Sequence, residues 1–109
     1  MIVKRASSRA TFRDGKMGKA DLAVGAHLFC GLNAFEPGQE HEPHAHCDRD
    51  KTYLVLQGRG EIAIGDVVET VGPGDFAFAA ASVVHSVRNT GDERLVVFVA
   101  MSPAPSKKP

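Results

Sequence analysis

Glycine and proline interrupt this chain about every eight to twelve residues, and the stretches between them are short and rich in Val, Ile, Leu and Phe. That rhythm leaves no room for an amphipathic helix of ten or more residues with caps at both ends, so it predicts an all-β fold. Candidate strands run over 22–34 (broken near Gly31), 43–47, 52–57, 61–64, 67–71, 76–79, 84–89 and 95–101. About eight strands in one domain must close on themselves or stack as two sheets, because one open sheet would leave a face and two edges uncovered. Two turns are legible. Gly65-Asp66, between EIAI and VVETV, suits a two-residue hairpin of the II′ form, and Gly72-Pro73-Gly74-Asp75 combines a fixed proline φ with two permissive glycines.

The length of 109 residues allows one domain with its own core. Thirteen basic and thirteen acidic residues cancel, so no global field attracts nucleic acid or an anionic membrane. Hydrophobic residues make up 43% of the chain, which excludes disorder over most of it, and no apolar run approaches the ~18 residues of a membrane span. A soluble protein is expected. Cys30 and Cys47 are too few for a disulfide scaffold, and reduced thiols in the cytoplasm are the expectation. Lys4, Arg5, Arg9 and Arg13 lie in an opening segment without acidic residues, read as a basic, weakly ordered arm with no secretory core. The final SPAPSKKP lacks core-forming residues and is expected to fray.

The chemistry concentrates in GQEHEPHAHCDRDKTYLVLQG, residues 38–58, which holds His41, His44 and His46. Side chains alternate along a strand, so His44 and His46 at i, i+2 project to one side and can share one ion. A solvated His-rich loop would have the same composition. Position favours a metal site: a glycine turn precedes the pair, an apolar strand follows it, and His85 lies in a similar strand context downstream. His27, in an apolar stretch, reads as a wall residue, and strand parity turns Cys47 away from His46 as a buried thiol. Phe35, Phe76, Phe78 and Phe98 read as core.

These residues resemble the cupins. Gly38, five residues, His44, one residue, His46 and a strand closing at Gly58 are similar to the first cupin motif, G-x5-H-x-H-x(3,4)-E-x6-G. Gly74, five residues, Ala80, Ala81, Ser82, two residues, His85, three residues and Asn89 are similar to the second, G-x5-P-x-G-x2-H-x3-N. The resemblance implies a double-stranded β-helix, or jelly-roll barrel, of the small single-domain, conserved-barrel type. Its expected divisions are an N-terminal arm and first strand at 1–20, the barrel at 21–102 and a disordered tail at 103–109. Ala80 and Ser82 replace the proline and glycine of the second motif and loosen the turn before His85.

Lys51 stands where the resemblance places the metal-binding glutamate, and an ammonium does not ligate a dication. Three readings remain open. His44, His46 and His85 form a three-histidine site with Lys51 turned aside or paired with Asp48 or Asp50; or Asp50 ligates through a strand bulge, with His41 reaching in; or the metal is lost and Lys51 holds an anionic ligand. Tyr53, Val55 and Gln57 share Lys51's parity and line the same cavity. Imidazoles accommodate a divalent transition metal, with Fe, Mn, Ni, Zn and Cu not distinguished. The implied function is a small metal-dependent enzyme acting on a small carboxylate, diketone or phenolic substrate as a dioxygenase, isomerase or lyase, with Lys51, Tyr53 and His41 as acid/base or charge-neutralising groups. The alternative is a non-catalytic small-ligand or metal-binding module. Exposed sheet edges predict a homodimer, with the N-terminal strand or strand 95–101 crossing to the partner.

Overall fold

A computed structural model describes residues 1–105 of the chain. After a short 3-10 turn at Ala6–Arg9 come nine strands: β1 Gly18–Val24, β2 Phe29–Phe35, β3 Glu40–His44, β4 Asp50–Gln57, β5 Gly60–Ile64, β6 Val67–Val71, β7 Phe76–Ala79, β8 His85–Arg88 and β9 Leu95–Ser102. They form two antiparallel sheets, β1-β2-β9-β4-β7 and β3-β8-β5-β6, the double-stranded β-helix. No helix among the described residues is long and apolar enough to cross a membrane.

The ninth strand comes from the segment read as one strand over 22–34. The break falls at residues 25–28, where the Gly25 N–H donates to the Leu28 carbonyl (2.7 Å), and Gly31 sits mid-strand instead. A Cβ on Gly31 would lie 2.8 Å from the Phe29 ring and 2.9 Å from the Ala20 carbonyl oxygen, so this glycine marks a close approach and not a turn. His27 consequently occupies the exposed turn, where its carbonyl accepts the Ser102 hydroxyl, and is no wall residue. The hairpin at Gly65-Asp66 forms as expected: Gly65 has φ +61°, and Ile64 pairs with Val67.

The sheets bury a core containing Met17, Phe35, Tyr53, Val55, Ile62, Val71, Val87, Leu95, Val97 and Val99. In β4 the alternation is clean, with Lys51, Tyr53 and Val55 buried; a bulge between Val55 and Gln57 then carries Gln57 to the exposed side. Phe35 is fully buried, but Phe76 and Phe78 are exposed on the outer face of β7 while Ala77 and Ala79 face inward, so the expectation of four core phenylalanines is corrected. Strand β9 pairs with both β2 and β4 and has no free edge to lend to a partner. The edges are β1, β7, β3 and β6. The expected tail, 103–109, lies outside the described residues from position 106; before that point Pro105 lines the internal cavity.

Candidate metal centre

His85 opens β8 and pairs directly with His44, the last residue of β3, with ring centroids 4.2 Å apart. Two residues farther along β8, Val87 pairs with His41, so three steps on β3 match two on β8. That extra residue is a β-bulge. In a regular strand His41 and His44 would face opposite sides; the bulge turns both rings inward, with centroids 4.1 Å apart. Pro43 lies within it, tolerable because β3 is an edge strand and loses no ladder hydrogen bond there.

Strand β3 ends at His44, not at position 47, so His46 reaches the cluster from a loop and not by strand parity. Its carbonyl accepts the Ser82 N–H (2.7 Å), which fastens the His46 loop to the turn preceding His85. Ser82 takes φ +73° there, the left-handed conformation glycine adopts at lower cost. Cys47, next in the loop, is exposed, not buried as parity implied.

One ring nitrogen from each of His44, His46 and His85 lies within 4.8 Å of the others. The hydrogen bonds of two rings identify which nitrogen is free. The Nδ1–H of His44 donates to the Glu42 carbonyl (2.6 Å) and that of His85 to the Val83 carbonyl (2.9 Å), leaving each Nε2 with its lone pair. Both Nε2 atoms are buried without a hydrogen-bond partner among the described residues. Burial is the main cause holding the imidazole pKa values down, to about 4 for His46 and about 3 for His41, with Lys51 and neighbouring imidazoles adding repulsion. His44 and His85 are also lowered, mainly by desolvation, although their carbonyl hydrogen bonds oppose it. Neutral imidazoles are the form in which histidine ligates. The donor set therefore fits a divalent transition metal.

Lys51 is only 3% exposed, and its ammonium lies 4.9 Å from the Tyr53 ring centroid. It forms no ion pair with a carboxylate among the described residues: Asp48 pairs with Arg49 (3.1 Å), and Asp50 accepts the Ala81 N–H (2.9 Å). Asp50 is exposed and is not brought into the histidine cluster, which leaves the bulge reading of that residue without support. Desolvation, reinforced by Lys19, lowers the Lys51 pKa to about 8. Tyr53 is fully buried, its hydroxyl has no partner, and burial raises its pKa.

A cavity of about 260 Å³ opens beside the histidines. Its walls include His41, His44, His46 and Lys51, together with Lys19, Phe29, Asn33, Val99 and Met101. Sequence reasoning missed Asn33. The available signal was an amide within the apolar run FCGLNAF, at a position sharing the parity of Phe29, Gly31 and Phe35.

A family model described as "Cupin domain" matches residues 31–101. The chain is 32% identical over 78 residues to a 5-nitrosalicylic acid 1,2-dioxygenase of Bradyrhizobium sp., covering 72% of this chain and 37% of that protein. It spans half or less of the length of the curated relatives it matches. Among solved structures, the TT1209 protein of Thermus thermophilus superposes with a TM-score of 0.91 at 30% identity, covering 96% of this chain and 100% of that one. A conserved protein with a double-stranded β-helix domain from Klebsiella pneumoniae gives a TM-score of 0.88 at 21% identity, over 98% and 94% of the two chains, a likeness of fold alone.

Proposed function

Since this chain belongs to the cupin family, we propose that it is a small metal-dependent enzyme in which His44, His46 and His85 hold one divalent transition metal and a small organic substrate occupies the adjacent cavity. The observation that carries this reading is the pair of buried, unpartnered Nε2 atoms of His44 and His85. A buried acceptor without a partner costs about 1–3 kcal/mol, a cost that ligation of a metal removes. When bound at three protein nitrogens, a metal keeps open positions for substrate oxygens and supplies Lewis-acid polarisation or, if redox active, electron transfer.

The chain's own residues supply the remaining chemistry. Tyr53, held protonated by burial, lies outside the lining and packs beside Lys51; on the cavity wall itself, His41, held neutral by burial, offers a hydrogen-bonding ring and Lys51 places positive charge. A carboxylate, diketone or phenolic substrate meets these groups. Similarity to a 5-nitrosalicylic acid 1,2-dioxygenase supports oxygen chemistry on such a molecule, as a proposal for this shorter chain. A non-catalytic metal- or ligand-binding module is the second reading, favoured by Lys51 at the position where the family motif has a carboxylate.

Metal analysis of protein purified without a histidine tag, followed by oxygen uptake with diketones, aromatic diols and hydroxybenzoates, tests the proposal. One metal per chain with turnover is expected. One metal without turnover of any of these supports the module, and protein that takes up no metal on titration overturns both metal readings. We further propose a homodimer formed through a free sheet edge, for which sedimentation should give twice the chain mass of 11.6 kDa.

A further inference from the structure

We propose that the five-stranded-sheet wall of this cavity is a carboxylate-binding wall, in which the Lys51 ammonium and the Asn33 amide Nδ2 grip the anionic group of a small substrate with an apolar body. This rests on the reading of the cavity as the substrate site and narrows that site's substrate class to monocarboxylates.

Lys51 and Asn33 are 3% and 4% exposed, both line the cavity, and the Asn33 Nδ2 has no hydrogen-bond partner among the described residues. Their placement follows from the register. Asn33 pairs with Val97 across β2 and β9 and with Lys19 across β1, while Lys51 lies on β4 opposite Met101. The Asn33 amide and the Lys51 side chain are thus held on packed strands and face one space, and among the described residues neither has an acceptor. Proteins rarely bury a donor unmatched; an ammonium and an amide N–H together match the oxygens of a carboxylate.

Charge gives the same answer. The candidate metal ligands are three neutral imidazoles, Lys51 has no carboxylate partner among the described residues, and Lys19 adds a second ammonium at the wall. Asp21 is the one acidic side chain among the lining residues, against two lysines. An anionic occupant compensates this positive cavity, and a neutral one leaves it uncompensated. Phe29, Val99 and Met101 supply apolar surface for the rest of the molecule, and a cavity of about 260 Å³ limits it to a small one.

The test titrates the metal-free 109-residue chain with benzoate and with its neutral isostere benzamide, by calorimetry or chemical-shift perturbation. Benzoate should bind saturably and at least about tenfold more tightly than benzamide. Lys51→Met, with Lys51→Gln as a second variant in case one fails to fold, should weaken benzoate about tenfold and leave benzamide unchanged. Asn33→Asp, which replaces the donor by an anion, should abolish benzoate binding while melting cooperatively. Equal affinity for the two compounds, no saturation by benzoate, or an unchanged benzoate affinity in a folded Lys51 variant overturns the proposal. Failure of the metal reading is distinguishable. Protein that takes up no metal but discriminates benzoate through Lys51 keeps the carboxylate wall and loses the metal centre; protein that binds metal without this discrimination keeps the metal centre and loses the wall.

Discussion

At one end of the barrel interior, around Phe35, Val55, Ile62, Val87 and Leu95, apolar side chains pack together and a buried amide is fully bonded. Asn89 donates through Nδ2 to the carbonyls of Phe35 (3.0 Å) and Glu93 (2.8 Å) and accepts the Gly91 N–H (3.0 Å). Beside it, on β2, β3, β4 and β8, Asn33, His41, His44, Tyr53 and His85 bury polar atoms that have no partner among the described residues. Strand β8 passes from Val87 in the core to His85 in the site, and β4 from Val55 to Lys51. Two buried asparagines in one barrel thus have opposite status. The satisfied end stabilises the fold, whereas the unsatisfied end costs stability until something external provides the missing partners.

Replacing Asn89 by alanine is the most severe test of this contrast. It strands the buried Phe35 carbonyl and, nearer the surface, the Glu93 carbonyl and the Gly91 N–H, and should cost about 4 kcal/mol in denaturant unfolding, with metal affinity unchanged in the folded fraction. A cost below ~1 kcal/mol would show that the amide is not a structural tie.

Lys51→Met should act in the opposite direction. In metal-free protein the lysine pKa of about 8 lies below its ordinary 10.5, so the unfolded chain binds the extra proton between those values. Wild-type stability therefore rises with pH from about 8 to 10.5, and below 8 the full penalty of a buried ammonium remains. The methionine variant should gain up to about 3 kcal/mol at neutral pH and lose that pH dependence. Unfolding measured at pH 7 and pH 10 in chelator decides it. Lys51→Glu should instead tighten metal binding, because a carboxylate replaces a repelling cation; weaker binding in a metal titration would contradict this account of the position.

His44→Ala should lower metal affinity at least ~100-fold, about 2.7 kcal/mol, with a smaller effect on folding than Asn89→Ala. Competition with a chromophoric chelator measures the first and denaturant unfolding the second. The smallest effect belongs to the turn preceding His85, beside the site. Ser82→Gly should add about 1 kcal/mol by relieving the left-handed backbone, without altering metal affinity. The backbone N–H bond to His46 is kept in the glycine variant, so an unchanged melting temperature would mean that serine holds this left-handed conformation at no cost relative to glycine.

Much of this was legible in the chain. The strands at 67–71 and 76–79 run where the glycine rhythm places them, and Lys51, Tyr53 and Val55 turn inward as alternation requires. The motif spacing singled out three histidines that the fold brings together. Less legible was how they get there. Counting i, i+2 put His44 and His46 on one strand, whereas a bulge at Pro43 ends β3 early and leaves His46 on a loop. The same bulge brings in His41, which a regular count would exclude. Bulges shift facing by one residue and have no composition of their own, so alternation misassigns every side chain beyond one. Phe76 and Phe78 are misread for a related reason: hydrophobicity signals burial, but in an edge strand only parity decides which face is inside.

By itself, then, the sequence determined the all-β class, the turn glycines and the spacing that gathers imidazoles at one end of the barrel, because these depend on backbone geometry and on residues close along the chain. The tertiary structure decided which polar groups share the cavity. Asn33 and Lys51 stand 18 positions apart on strands that never pair with each other, separated in the sheet by β9. Only the register of β2 and β4 against β9 turns both toward one space, and only the packing there leaves the Asn33 amide without a hydrogen-bond partner and Lys51 without an ion pair among the described residues.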